Sequence, residues 1–409
     1  MAERHDLTSI ESSYSWRRLG AAAAIGTVGG VGMWSVVVIL PAIQAEFGAA
    51  RGDASMPYAA SMVGFAIGGV LMGRLVDRLG IVRPLLAGVV ALGIGHLLAA
   101  QASSLWQFAL AHALFVSMVG GGVMFGPLIA DTSQWFDRNR GIAVALCASG
   151  NYAAGAVWPP LIYYAVEQFG WRLSLIGLGV ICVVIVLPLA SVLRRRLDTM
   201  ATTTTVPMPL GDLGLARSRL LLLLCLAGVG CCVAMSMPQV HIVAYCGDLG
   251  YGVARGAEML SVMLGFGVTS RIISGLVTDR IGGLTTLLIG SLLQMSALVL
   301  YFFFDGLTSL YVISALFGLF QGGIVSTYAV VVREYFPPAD AATKLGLILM
   351  ATLFGMAVGG WLSGLIFDWT ESYRAAFLNG IGWNMINVLI VAWLLWRVRA
   401  PGSRRLLAA

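Results

Sequence analysis

The chain has 409 residues, 59% of them hydrophobic and only 11% charged, where a soluble protein of this size would carry about a quarter charged. Apolar stretches long enough to cross a bilayer recur along it, which excludes a water-soluble globule, and they are glycine-rich and non-alternating, which excludes a membrane β-barrel. The net charge of +6 is scattered through short loops, which argues against a nucleic-acid partner and reads as a topology signal.

A polar tail, residues 1–16, opens the chain, and no cleavable signal peptide precedes the first apolar run. Membrane helices are predicted at 17–42, 57–78, 82–101, 104–131, 140–168 and 172–193. A Thr-rich, Pro-containing segment, 194–218, then reads as a linker. Six further helices follow at 219–247, 254–280, 283–304, 307–333, 341–368 and 373–397, and residues 398–409 form a second tail. The expectation is an all-α polytopic membrane protein of twelve transmembrane helices in two six-helix bundles, 17–193 and 219–397. Five of the six cysteines (Cys147, Cys182, Cys225, Cys231 and Cys232) lie within apolar runs and read as small buried side chains.

Orientation follows from counting. The tails and even-to-odd loops hold 20 of the 25 Lys and Arg, and the opposite loops hold only Arg51, Arg172, Arg255 and Arg374. The positive-inside rule places both termini and the linker in the cytoplasm, and the expected location is the cytoplasmic membrane. The halves also repeat each other. GRLVDRLG (Gly73–Gly80) ends the second helix and GLVTDRIG (Gly275–Gly282) ends the eighth, the same motif at the same place in each half. Duplicated six-helix units are the mark of a transporter.

The duplicated loop motif, twelve spans and basic central linker resemble the major facilitator superfamily. Narrower features are similar to its monocarboxylate transporter and oxalate/formate antiporter branch. These are WFDRNRGIAVALCASGNYAAGAVWPP (Trp135–Pro160), QVHIVAYCGDLGY (Gln239–Tyr251) and the segment in which Arg271 precedes SGLVTDRIG. The resemblance implies alternating access around a midplane cavity lined by spans one, four, seven and ten with help from five, eight and eleven. It also implies that the eighth-helix arginine anchors a carboxylate.

The residues support that role for Arg271. It lies nine residues before Arg280 at the span's end, about 14 Å into a hydrocarbon core ~30 Å thick. A guanidinium facing lipid at that depth costs ~3 kcal/mol, so it must face protein or water. Gly267, Ser274, Gly275 and Thr278 share its helix face, all small or weakly polar. No Asp or Glu falls near a predicted midplane, and position 267, where much of the branch carries an Asp, is glycine. An internal ion pair has no obvious mate; an incoming carboxylate fits a permanently charged, bidentate guanidinium.

Other candidates surround the implied cavity. His241 is placed to hydrogen-bond the substrate or relay a proton, or simply to bond a neighbouring helix. Asn151, Tyr152, Gln321, Tyr328 and Asn384 offer neutral hydrogen bonds to an organic acid, against interhelical bonding as the plainer role. Trp34 and Phe125 are candidates for an apolar wall. Asp77, Arg78, Asp279 and Arg280 are expected to close a cytoplasmic gate, with Asp131, Arg138 and Arg140 in the same layer.

The expected function is secondary transport of a small organic anion, a monocarboxylate foremost, as proton symport or anion exchange by a functional monomer. The oxalate-type carriers place a second cation in span eleven. The one lysine here, Lys344, sits at that helix's start, and the deeper stretch around Thr352 has none, which disfavours a compact dianion. A multidrug or neutral-solute exporter of the same fold is the alternative, and a membrane-embedded sensor a more distant one. No metal cluster, nucleotide loop or nucleophile–base pair is visible, so neither an enzyme nor a cofactor is expected.

Overall fold

The computed structural model describes residues 10–195 and 213–399. It is 89% helical, with no strand among the described residues. The tails and linker expected at 1–16, 194–218 and 398–409 lie largely outside the described residues. Eleven helices are long and apolar enough to cross a membrane. One of them, Arg140–Val192, runs 53 residues, about 80 Å, more than twice a bilayer core. Its backbone breaks at Gly170 (φ 74°, ψ 160°), a conformation open to glycine. Counting it as spans five and six gives twelve, and the spans are numbered so below.

Three spans are interrupted where the sequence is richest in glycine. Span one, Ser13–Phe47, divides at Gly30. Span four, Leu105–Gln134, carries a ten-residue π-helix, His112–Gly121, and then breaks at Phe125 (φ −125°, ψ −86°). Span ten, Leu307–Tyr335, is interrupted at Gly322 and Gly323. Spans four and ten hold equivalent places in the two halves.

The duplicated motif is a duplicated backbone. Gly80 and Gly282 close spans two and eight with φ 76°, ψ 167° and φ 84°, ψ 162°. Their N–H groups donate to Val76 O at 2.8 Å and Thr278 O at 2.9 Å. An L side chain in that region costs about 1–3 kcal/mol. Gly282→Val is therefore expected to lower the melting temperature of the purified protein. Gly73→Ala, where an added Cβ meets open space, is the matched control. Equal melting curves for both would remove the capping role.

The described contacts group the chain into two compact units. The first is Met1–Thr203 with Val240–Gly265, and the second is Thr204–Gln239 with Phe266–Ala409. Within the first, spans two and four approach through glycine: a Cβ at Gly64 would lie 2.2 Å from Ala113 O, and one at Gly68 would lie 2.0 Å from Met118 O. Small residues four apart let helix backbones meet without a driving hydrophobic effect. The Val240–Gly265 hairpin is held in this unit by Arg51, whose Nη2 donates to Asp248 at 3.1 Å, and by Leu264 packed over Gly155 and Trp34.

Candidate functional site

In the second unit, span eight lies against the break in span ten. Its face of small residues permits this: a Cβ at Gly322 would sit 2.5 Å from Gly267 O, and one at Gly323 would sit 1.8 Å from Ser274 Oγ. Gly323 N–H donates to Ser270 Oγ at 3.1 Å. Arg271 follows on the same helix. It is 7% exposed, and its Nε donates to Gly322 O at 3.5 Å. The guanidinium thus sits inside protein, beside the Gly322 carbonyl between the two helical segments of span ten. Gly275, one turn on, is exposed and has open space around its Cα.

Tyr328 and Gln321, on either side of the same break, are both fully buried. The Tyr328 hydroxyl has no hydrogen-bond partner among the described residues. It points at span seven near Gly228, where an added Cβ would lie 3.8 Å from it and 3.0 Å from Thr352 Cγ2. Asn384 is placed differently. Its Nδ2 donates to Ser291 O at 2.8 Å, and Asn387 Nδ2 donates to Ser291 Oγ at 2.7 Å, so both asparagines tie span twelve to span nine. Gln294 does the same between spans nine and seven, donating to Cys231 O at 3.0 Å.

In the first unit, a small pocket forms where spans one and four are irregular. Gly29, Gly30, Gly32 and Met33 of span one, Met62 and Phe65 of span two, Val116, Ser117 and Gly121 of span four, and Asn151 of span five line it. Trp34 is nearly fully buried beside it and donates from Nε1 to Asn151 O at 3.2 Å. Phe125 stands over Phe65 with ring centroids 6.0 Å apart. Tyr152 and His241 are buried in the same unit. The sequence gives no signal for Ser117 or Met62. A hydroxyl in an apolar helix and a thioether on its neighbour become visible only once the helices are packed.

The charged layer separates into two kinds. Asp77, Arg78, Asp279, Arg280 and Arg138 are exposed and form no ion pair among the described residues. Arg140 is exposed too and donates to Ser133 Oγ at 3.4 Å. Asp131 instead receives a two-pronged contact from Arg18, Nη2 to Oδ1 at 2.9 Å and to Oδ2 at 2.7 Å. Arg18 Nη1 also donates to Leu193 O at 2.7 Å, and its guanidinium lies 4.6 Å from the Trp135 ring. Glu11 accepts from the N–H groups of Asp137 and Asn139 at 3.2 and 2.6 Å. The loop that opens span five is therefore held by the start of the chain.

The family model described as Major Facilitator Superfamily matches residues 22–308 and 259–408. An MFS-type transporter, pynF, of Aspergillus niger is 25% identical over 350 residues, covering 82% of this chain and 77% of the relative. Monocarboxylate transporter 13 of Rattus norvegicus is 27% identical over 330 residues, covering 80% and 75%. Among solved structures, a bacterial homolog of the human lysosomal transporter Spinster, in an inward-facing and occupied conformation, aligns with a TM-score of 0.70 at 14% identity over 95% of this chain and 98% of that one. The nucleoside transporter NupG aligns with a TM-score of 0.72 at 13% identity over 93% and 100%. At such identities the structural likeness speaks for the fold alone.

Proposed function

The chain belongs to the major facilitator superfamily and is an integral membrane transporter, and on that premise we propose that it moves a small organic anion, a monocarboxylate foremost, across the cytoplasmic membrane by alternating access. The observation that carries this reading is Arg271, buried at 7% exposure within span eight and set against the Gly322 carbonyl of span ten. A guanidinium keeps its charge under all ordinary conditions and matches a carboxylate in a two-bond fork. The similarity to proteins named monocarboxylate transporters points the same way. Tyr328, with its buried hydroxyl directed at span seven near Gly228, is the neutral donor we assign to the substrate. Asn151 and Ser117, in the first unit, are the polar groups of the pocket there. Both termini are assigned to the cytoplasm from the 20 of 25 basic residues on that side.

A carboxylate drawn to Arg271 offsets a charge that sits within span eight, and a carrier so loaded closes more readily than an empty one. That asymmetry suits exchange, or symport with a proton. The protein must bind its substrate differently in the states it passes between, or loading would shift nothing.

A thermal-shift screen of purified protein against organic acids tests the substrate class. A ligand that binds only the folded state stabilises by about 2.7 kcal/mol at a hundredfold excess over its Kd. Short and medium monocarboxylates are expected to raise the melting temperature, and dicarboxylates of the same length to raise it less. Stabilisation by neutral or cationic solutes with none from any acid would overturn the anion reading in favour of an exporter.

A further inference from the structure

We propose that His96 and His112 form a proton site within the first unit, and that its occupancy is passed to the pocket at Ser117 and Asn151 through the π-helical stretch of span four. This stands apart from the assignment of Arg271, because it concerns another ligand in another unit.

The two imidazoles, on spans three and four, are both fully buried. Their ring centroids are 5.7 Å apart at an interplanar angle of 67°. His96 Nδ1 lies 2.9 Å from Leu92 O, so this nitrogen carries the N–H of a neutral ring and Nε2 presents a lone pair. Neither His96 Nε2 nor either nitrogen of His112 has a hydrogen-bond partner among the described residues. Three idle ring nitrogens in one buried place are unusual, since buried polar groups are nearly always bonded. A proton changes that. On His112 it makes both nitrogens donors, and the lone pair of His96 Nε2 is the acceptor at hand after a small turn of either ring. The face of Phe108, centroid 4.5 Å from that of His112, attracts the imidazolium as a cation.

The charged groups near the pair lie at one end of it. Arg172 donates to Ala100 O at 2.6 Å and Ala102 O at 2.9 Å, about one turn beyond His96 on span three. Arg172 also pairs with Glu46. Trp171 donates to the same carboxylate, and its ring meets Phe108 with centroids 5.8 Å apart. Elsewhere, span six carries Cys182 just past Gly179, whose added Cβ would touch His96 Cβ at 3.1 Å. Span two carries Tyr58 beyond its Gly64 contact, span three has Arg83 only at its far end, and the π-helix has no other titratable group. No carboxylate on these elements pairs with either imidazole.

The route to the pocket is the chain itself. His112 is the first residue of the π-helix, and Ser117 and Gly121 in the same stretch line the pocket with Asn151. Gly122 N–H closes it by donating to Ser117 O, five residues back. Such stretches are rare and are found at functional sites. Conversion to α-helical bonding would turn the following residues by roughly 100°, moving Ser117 relative to Asn151. A ring movement at His112 acts on the first turn of this element.

Hydrogen exchange on the full-length protein in lipid nanodiscs tests this without any transported solute. Between about pH 3.5 and pH 7.5, exchange of the His112–Gly121 amides, measured relative to those of span nine, is expected to change roughly tenfold in the wild type. In His96→Gln and in His112→Gln that change is expected to vanish. A flat ratio in the wild type, or an undiminished step in His96→Gln, would overturn the proposal. If His112→Gln melts too low to study, His96→Gln decides alone, since its amide can still bond Leu92 O while offering no site for a proton. Loss of carboxylate stabilisation in Arg271 variants would leave this result untouched.

Discussion

Arg271→Ala is expected to lower counterflow of a labelled monocarboxylate in proteoliposomes by about a hundredfold. The estimate rests on one lost charge-assisted pair. Truncating one partner of a buried, hydrogen-bonded charge pair costs about 2–5 kcal/mol, and about 3 kcal/mol is two decades in affinity. Arg271→Lys keeps a cation but loses the planar fork and the Nε–H that reaches Gly322 O, so a loss of roughly tenfold is expected there. The anchor must be separated from a loosened span ten. Ser270→Ala does this, because it removes the hydroxyl that accepts from Gly323 N–H at 3.1 Å and leaves the guanidinium in place. Exchange should fall far less in Ser270→Ala than in Arg271→Ala. Wild-type counterflow in an inserted, folded Arg271→Ala protein would reject the anchor, and equal loss in Ser270→Ala would assign the effect to the helix break.

What the sequence made legible is local. Apolar runs located the spans, and the paired motifs ending in Gly80 and Gly282 foretold two helix ends with the same glycine conformation. The depth of Arg271 is an inference from rise per residue; the structure adds that the side chain is buried in protein. What stayed hidden depends on partners far along the chain. Asn384 reads as a polar group available to a substrate; its Nδ2 is taken by Ser291 O, 93 residues away. Arg18 reads as one more basic residue at a span end, and its mate is 113 residues distant. The π-helix at His112–Gly121 has no periodic signature, because a run of apolar and small residues suits either helix until its neighbours are packed. The same holds for Val240–Gly265, which groups with the first unit though the duplication assigns it to the second half.

Arg18→Ala is expected to be among the most destabilising single changes in the first unit. Arg18 is 2% exposed, and it satisfies both oxygens of Asp131 and the Leu193 carbonyl. Removing it strands a carboxylate in a place with little water, and breaking a buried pair from one side costs about 3–5 kcal/mol. Asp131→Asn should cost less, since the amide can still accept from the guanidinium. The informative variant is the pair Arg18→Met with Asp131→Leu. Two apolar side chains remove the desolvation cost of both charges, so the double variant should melt above Arg18→Ala despite carrying two substitutions. Melting of purified protein, read as a double-mutant cycle, measures this. Singles within a degree of the wild type would mean that the contact carries no weight. A stable double variant with normal exchange would assign Asp131 to the strut that joins the chain's start to the end of span six. A stable double variant that binds carboxylates but exchanges them slowly would restore Asp131 to the gating layer beside Arg138 and Arg140.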